Sequence, residues 1–148
     1  MKSVQWLTEI EIVDQDYKGY CAQNGWTGEA IIKPISRIDV PGHGATFQGR
    51  RHRIQGLAFA GTRGISLVEV SMDGGEQWMP ATLALRLSPA AWRFWSYRSY
   101  DWAAPAPGRH QMIVRATDGI GRLQTSIEQD PVPEGATGLH EITVTTEI

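Results

Sequence analysis

Residues able to do chemistry are few in this chain of 148 residues, and their spacing argues against a catalytic centre. The four histidines stand far apart, and no cysteine pair accompanies them, so the ligand spacing of a zinc site is missing. No serine lies in the Gly-x-Ser-x-Gly setting that exposes a nucleophile, and no glycine-rich loop has the pattern that cradles phosphate. We therefore expect no catalytic, cofactor-binding or metal-binding residue.

The most informative local pattern combines a turn signal, an aspartate and a tryptophan after a strand-like run. Gly74 and Gly75 can adopt the positive φ angles of a type I′ or related turn. The Asp73 carboxylate can accept backbone N–H bonds within that turn, and Trp78 can anchor the returning strand. With Ser71, the spacing Ser-x-Asp-x-Gly-x-x-Trp resembles the Asp box of β-propellers and a few other β domains. A propeller repeats the motif in several blades, so this single copy predicts one structural hairpin.

A second feature is an aromatic run that is apolar on both faces of its expected strand. Trp92 and Phe94 share one parity of that strand, and Trp95 and Tyr97 share the other. Such a strand either lies between two layers or presents one aromatic face to a partner. These four residues are the candidate interface.

The elements that position these residues are strands, because period-two alternation dominates the chain. Turn signals separate about seven short strands that no helical crossover joins, which predicts an all-β fold, an immunoglobulin-like antiparallel β-sandwich. The expected strands are 31–39, 52–60, 65–71, 77–83, 92–102, 110–118 and 141–148. The side chains expected in its core include Val68, Val70, Met112, Val114 and Ala116.

An extended arm and a loop precede the expected sandwich. Ile10 and Ile12 alternate with polar residues in the arm, and residues 14–30 combine aromatic residues with glycines. For that loop, a compact surface segment is favoured over a helix. We divide the chain accordingly into residues 1–30, the arm and loop, and residues 31–148, the sandwich.

Composition restricts the partners. A formal charge of -2 and a pI near 6.1 provide no field that would recruit a polyanion, so nucleic acid is not an expected partner. No apolar stretch of about 18 residues is present, so direct membrane insertion is not expected either. Cys21 is the one cysteine, which excludes an intrachain disulfide.

Several segments, taken in order with the hairpin, resemble the C-terminal immunoglobulin-like domain of the sulfite oxidase family of molybdenum-cofactor oxidoreductases, often called the dimerisation domain. The resemblance extends from about residue 6 to the C-terminus and is densest over 35–124. The segments that carry it are Ser36-Arg37-Ile38-Asp39-Val40-Pro41, Ile54-Gln55-Gly56-Leu57-Ala58-Phe59-Ala60-Gly61, Ala91-Trp92-Arg93-Phe94-Trp95, Pro107-Gly108-Arg109-His110, and Val114-Arg115-Ala116-Thr117-Asp118-Gly119-Ile120-Gly121-Arg122-Leu123-Gln124.

The resemblance implies that the chain is a non-catalytic, structural domain of a larger enzyme. An upstream molybdopterin-binding catalytic domain and a second copy in a homodimer are then its partners, and the molybdenum cofactor belongs to the parent enzyme. In this family a cysteine ligates molybdenum in the catalytic domain, and Cys21 matches no such motif. The loop at 17–26 resembles bacterial members joined to a membrane-embedded module, which implies a membrane-associated or extracytoplasmic parent. The compartment of the chain itself stays open.

Two other classes of β-sandwich remain open at this point. A carbohydrate-binding module would use exposed aromatic rings as stacking platforms, and a fibronectin-like spacer would need no aromatic face. The candidate stacking residues are Trp26, Tyr97, Tyr100 and Trp102.

Overall fold

The structure is a computed structural model that describes residues 6–29, 31–48, 52–87, 92–99 and 106–147. For residues 84–87 and 92–99 it describes the backbone and not the side chains.

Nine strands and one turn of helix make up the regular structure of the described residues. The helix α1 spans Tyr20–Gln23, and a 3₁₀ turn spans Gly61–Arg63. The strands are β1 (Ile35–Val40), β2 (Thr46–Gln48), β3 (His52–Phe59), β4 (Ile65–Ser71), β5 (Met79–Pro80), β6 (Thr82–Leu87), β7 (Trp92–Ser99), β8 (Gly108–Asp118) and β9 (His140–Glu147). They form a first sheet in the order β1-β3-β7-β6 and a second in the order β2-β9-β8-β4-β5.

The two sheets confirm the all-β sandwich, with two departures from the expected strands. The expected strand 77–83 is two strands, β5 in the second sheet and β6 in the first. Pro80 ends β5, because proline has no N–H to continue a ladder, and the chain crosses between sheets at Ala81. The short strand β2 was not predicted, and it pairs with β9 in parallel within an otherwise antiparallel sandwich. Three residues are too few to show a period-two pattern.

The core lies between the sheets and follows the alternation of the strands. Val68, Val70, Met112, Val114 and Ala116 are all fully buried, as predicted. They lie on the paired strands β4 and β8, where Val68 is opposite Ala116 and Val70 is opposite Val114. Because successive side chains of a strand point to opposite faces, their neighbours form the outer face of the second sheet.

The N-terminal segment 6–29 contains no strand, and its apolar side chains are mostly exposed. Ile10 and Ile12 in the arm are 78% and 97% exposed. The loop contains the single helical turn α1, where a segment without helix was expected; Gln23 and Asn24 donate backbone hydrogen bonds to the carbonyls of Gly19 and Tyr20. The loop also contacts the sandwich, since the Thr27 N–H donates to the Pro133 carbonyl over 3.0 Å.

Candidate functional site

The hairpin that joins β4 to β5 contains the predicted Ser71, Asp73 and the two glycines. The Ser71 hydroxyl donates to Asp73 Oδ1 over 2.7 Å and accepts the Gly75 N–H over 2.8 Å. Asp73 Oδ1 also accepts the N–H groups of Glu76 and Gln77, at 3.1 and 3.0 Å. The pairing of β4 with β5 ends at Val70 and Met79, and these bonds hold the residues between them, so the connection is wider than a two-residue turn.

Two features of this hairpin follow from its bonding. Gly74 and Gly75 have φ angles of 75° and 102°, a region that side chains rarely adopt. The Gln77 N–H lowers the pKa of Asp73 below the usual aspartate value, and the Ser71 hydroxyl and the Glu76 N–H act in the same direction. The carboxylate is therefore held ionised as an acceptor for the backbone.

The returning strand is anchored on the outer face of the second sheet. The Arg115 guanidinium lies over the Trp78 ring, 4.0 Å from its centroid. Arg115 also pairs with Glu69, with Nε and Oε2 2.8 Å apart. A cation held over an aromatic face stabilises the contact electrostatically. The described geometry thus brings all five predicted hairpin residues into one structural unit.

A second polar cluster, centred on Asp118, was not predicted. Asp118 is fully buried at the end of β8, and its Oδ2 accepts a hydrogen bond from Arg63 Nε over 2.7 Å. Its Oδ1 accepts the N–H groups of Ile120 and Arg122, at 3.1 and 2.8 Å. Arg63 also donates to the Ile32 carbonyl. The pattern Asp-Gly-x-Gly after a strand was the local signal for the turn. No local pattern predicts that Arg63, 55 residues earlier in the chain, contacts Asp118.

The charge state of Asp118 follows from these contacts. Burial raises the pKa of this carboxyl, but the Arg63 guanidinium and the N–H groups of Arg122 and Ile120 outweigh it. The pKa consequently lies below the usual aspartate value, and the carboxylate stays ionised at neutral pH. All three donors are groups of the fold itself, so the cluster supports a structural role.

A buried amide links the two sheets beside this cluster. Gln124 Oε1 accepts the Ser36 hydroxyl over 2.7 Å and the Ala116 N–H over 3.2 Å. Its Nε2 donates to the Gly138 carbonyl over 2.9 Å. One side chain therefore connects β1, β8 and the loop that precedes β9.

A groove of about 810 Å³ lies next to Gln124, between residues 31–36 and the segments 122–125, 128–130 and 136–140. Lys33 in one wall pairs with Glu134, with Nζ and Oε2 3.7 Å apart. Arg63, which also lines the groove, is engaged by Asp118. The cations named here are thus bound to carboxylates of the fold.

The backbone register positions the predicted interface residues on opposite faces of the first sheet. Phe94 is opposite Leu57, whereas Trp95 is opposite the buried Gly56 and Tyr97 is opposite the buried Ile54. Directly paired positions share a face, so Trp95 and Tyr97 occupy core-facing positions and Phe94 an outward-facing one. Trp92 is opposite Leu87 of β6 and has the parity of Phe94. Their side chains, like Tyr100 and Trp102 as a whole, lie outside the described residues.

Side chains that could bind a metal ion do not come together in the described part of the chain. Within it, no three His, Cys, Asp or Glu side chains are arranged to bind a metal ion. Cys21 is exposed on the one-turn helix α1. Over the described residues, no helix is both long and apolar enough to cross a membrane.

The histidines contact the fold rather than one another. The Nδ1 atoms of His140 and His43 accept the N–H groups of Ile38 and Thr143, at 3.2 and 3.3 Å. His110 contacts the Ala106 carbonyl, and His52 stacks on a phenylalanine ring. Each of them therefore has a structural contact.

Comparison with known proteins agrees with a structural role for this domain. Residues 28–130 match the family described as Mo-co oxidoreductase dimerisation domain. The chain is 30% identical over 159 residues to an NADH nitrate reductase of Ulva prolifera, with 85% of this chain and 18% of that protein covered. It is 28% identical over 146 residues to mitochondrial sulfite oxidase of Rattus norvegicus, with 83% and 26% covered. The chain therefore spans less than a third of the length of these relatives.

A solved structure shows the same fold. The sulfane dehydrogenase SoxCD of Paracoccus pantotrophus aligns with a TM-score of 0.59 at 23% identity, covering 79% of this chain and 33% of that chain. None of these matches favours a carbohydrate-binding module or a fibronectin-like spacer. Since the family match covers most of the chain and agrees with its two-sheet architecture, the chain belongs to the Mo-co oxidoreductase dimerisation domain family.

Proposed function

We propose that this chain is the non-catalytic, structural module through which two copies of a molybdenum-cofactor oxidoreductase associate. The family match over residues 28–130 carries the proposal. The polar clusters support it, because the carboxylates of Asp73 and Asp118 are engaged by groups of their own fold. Such groups position the backbone of the fold.

The catalytic domain and the molybdopterin cofactor lie, on this proposal, in an upstream part of the parent polypeptide. The relatives are several times longer than this chain, which leaves room for such a domain. Residues 1–30 serve as the arm and loop that connect it to the sandwich at 31–148. The exposed apolar side chains of the arm support this assignment, because a connecting segment can bury them against the preceding domain.

The mass and the molybdenum content of the native polypeptide test this proposal. An antibody raised against the 148-residue chain is used to isolate the protein from its source cells, and its mass and molybdenum content are measured. We expect a polypeptide several times the 16.4 kDa of this chain, with stoichiometric molybdenum. In parallel, the 148-residue chain expressed in a cofactor-competent host should bind no molybdenum and oxidise no substrate. A native 16.4 kDa product without the metal, or stoichiometric molybdenum in the isolated chain, would contradict the proposal.

Light scattering after size exclusion tests the association itself. We expect a monomer–dimer equilibrium of the isolated chain that depends on concentration. A strict monomer up to about 1 mM, where the free energy of association would be weaker than about -4 kcal/mol, would contradict self-association through this domain.

A further inference from the structure

The loop that precedes β9 folds back on itself and bonds mostly to itself. Its two legs are joined where the Thr137 N–H donates to the Gln129 carbonyl over 3.2 Å, and the Thr137 hydroxyl donates to another carbonyl of the opposite leg over 2.7 Å. At the tip, the Gly135 N–H donates to the Pro131 carbonyl over 2.6 Å. A compact surface loop with its ends close together is an Ω-loop. We call this loop, residues 127–137, the strap.

The base of the strap is attached to the body of the sandwich. Gln124 Nε2 donates to the Gly138 carbonyl over 2.9 Å, and the Thr125 hydroxyl accepts the Ile127 N–H over 3.1 Å. Gln124 is itself buried and bonded to both sheets, so this attachment is fixed. Gly138 has a φ angle of 126°, in a region open to glycine and rarely to other residues. The base therefore combines a fixed point with a residue about which the backbone can rotate.

The tip of the strap is fastened to the segment that precedes β1. The Pro133 carbonyl accepts the Thr27 N–H over 3.0 Å. Lys33 holds the tip twice, since its Nζ lies 3.7 Å from Glu134 Oε2 and donates to the Gly135 carbonyl over 3.4 Å. Among the residues that the structure describes, no other hydrogen bond or ion pair joins the tip to the rest of the chain.

These fastenings are weak compared with the packing of the sandwich. The Glu134 side chain is 61% exposed, and an ion pair in contact with water contributes little to stability. The bond from Lys33 to Gly135 is long for a hydrogen bond. The legs of the strap, at 128–130 and 136–137, line the groove of about 810 Å³, and none of their side chains belongs to the core between the sheets. Release of the tip therefore breaks a few exposed contacts and leaves the core intact.

We propose that the strap is a hinged device that controls access to the groove. It opens when its tip leaves Lys33 and Thr27, and it rotates about Gly138 with its internal bonds intact. This inference goes beyond the proposed function, because it concerns a single copy of the chain. Its consequence for a longer enzyme rests on that function: the tip is fastened to the segment that leads to the preceding domain, so a shift of that domain releases the strap.

Amide hydrogen exchange of the 148-residue chain, followed by NMR, measures release of the tip. The Thr27 amide is the reporter, because its bond to Pro133 breaks whenever the strap opens. Lys33→Met removes the ammonium group and retains an unbranched side chain. We expect exchange at Thr27 to become about three- to tenfold faster, since a weak ion pair and a hydrogen bond are lost. Lys18→Met, the same change at an exposed lysine outside the strap contacts, should leave this rate unchanged.

Three other amides distinguish a hinge from a loss of structure. The N–H groups of Gly135 and Thr137 bond within the strap, and the Gln124 N–H bonds to a carbonyl of β8. None of the three should exchange faster in Lys33→Met, because rotation at the base leaves their bonds intact. Faster exchange at Gly135 and Thr137 would show that the loop unfolds, and this would overturn the inference. Faster exchange at Gln124 would show that the whole chain is destabilised and would overturn it equally.

A second variant makes the test independent of Lys33. Glu134→Gln removes the charge of an exposed side chain and keeps its shape, and exchange at Thr27 should become about two- to threefold faster. Unchanged exchange at Thr27 in both variants, or an equal effect of Lys18→Met, would overturn the inference. These rates are measured on the isolated chain at low concentration. A chain that stays monomeric, or that lacks a molybdenum-containing parent, would contradict the proposed function and leave them unaffected.

Discussion

Replacement of the buried Asp118 by asparagine tests whether this cluster is a structural element. Asparagine has nearly the same shape and retains one oxygen, which can still accept the N–H groups of Ile120 and Arg122. It presents an amide donor to Arg63 where the carboxylate oxygen accepted a 2.7 Å hydrogen bond. The change therefore isolates the ionic contact from the backbone turn.

The expected loss of unfolding free energy is about 2 kcal/mol at pH 7, the usual value of a hydrogen bond to a charged group. It stays below the 3–5 kcal/mol for breaking fully buried pairs, because the Arg63 side chain is 21% exposed and can reach water. Asp118→Ala also leaves two backbone N–H groups without their acceptor. At about 1 kcal/mol each, the total loss then rises to about 4 kcal/mol.

Urea denaturation at low protein concentration measures both variants, and acid adds a second test. The pKa of Asp118 is lower in the folded chain than in the unfolded one. Its contribution is therefore fully present above the unfolded value near 3.9, and it is lost as the pH falls through the folded value. The asparagine variant should lose less stability than the parent chain below about pH 4.

A matched control is Asp39→Asn, the same change at a surface pair with arginine, which should cost less than about 1 kcal/mol. A loss at Asp118→Asn no larger than that of the control would refute the argument. An unchanged acid response in that variant would refute it equally.

Three further predictions concern stability and are checked by thermal or urea unfolding. Gly119→Ala should cost about 2 kcal/mol or more, because its Cβ would lie 2.1 Å from a backbone carbonyl oxygen, whereas Gly42→Ala meets no atom within 4 Å and should be neutral. Gly74→Val and Gly75→Val should each cost about 1–2 kcal/mol through their positive φ angles; melts equal to the parent chain would contradict this. Gln124→Leu should cost about 1–3 kcal/mol, because it leaves a buried N–H and a hydroxyl without their acceptor. A loss below 0.5 kcal/mol would show that water replaces the amide.

Local patterns in the sequence were enough to predict the strands whose alternate side chains face the core. Val68 and Val70 alternate with Leu67 and Glu69, and the resulting period of two predicted both the strand 65–71 and its buried side, as the structure has them. Similarly, the Asp-Gly-Gly turn signal lies where β4 ends. These features depend on neighbouring residues alone, because side-chain alternation and glycine φ angles are local properties.

The tertiary structure alone decided which distant groups meet. Arg63 and Asp118 are 55 residues apart in the sequence, and Ser36 and Gln124 are 88 apart. Each pair forms a hydrogen bond that no local pattern predicts. The division of 77–83 between two sheets and the parallel pairing of β2 are of the same kind. Each depends on which sheet edges lie side by side. That arrangement is set by burial of the whole apolar surface at once, and a period of two does not specify the neighbour of a strand.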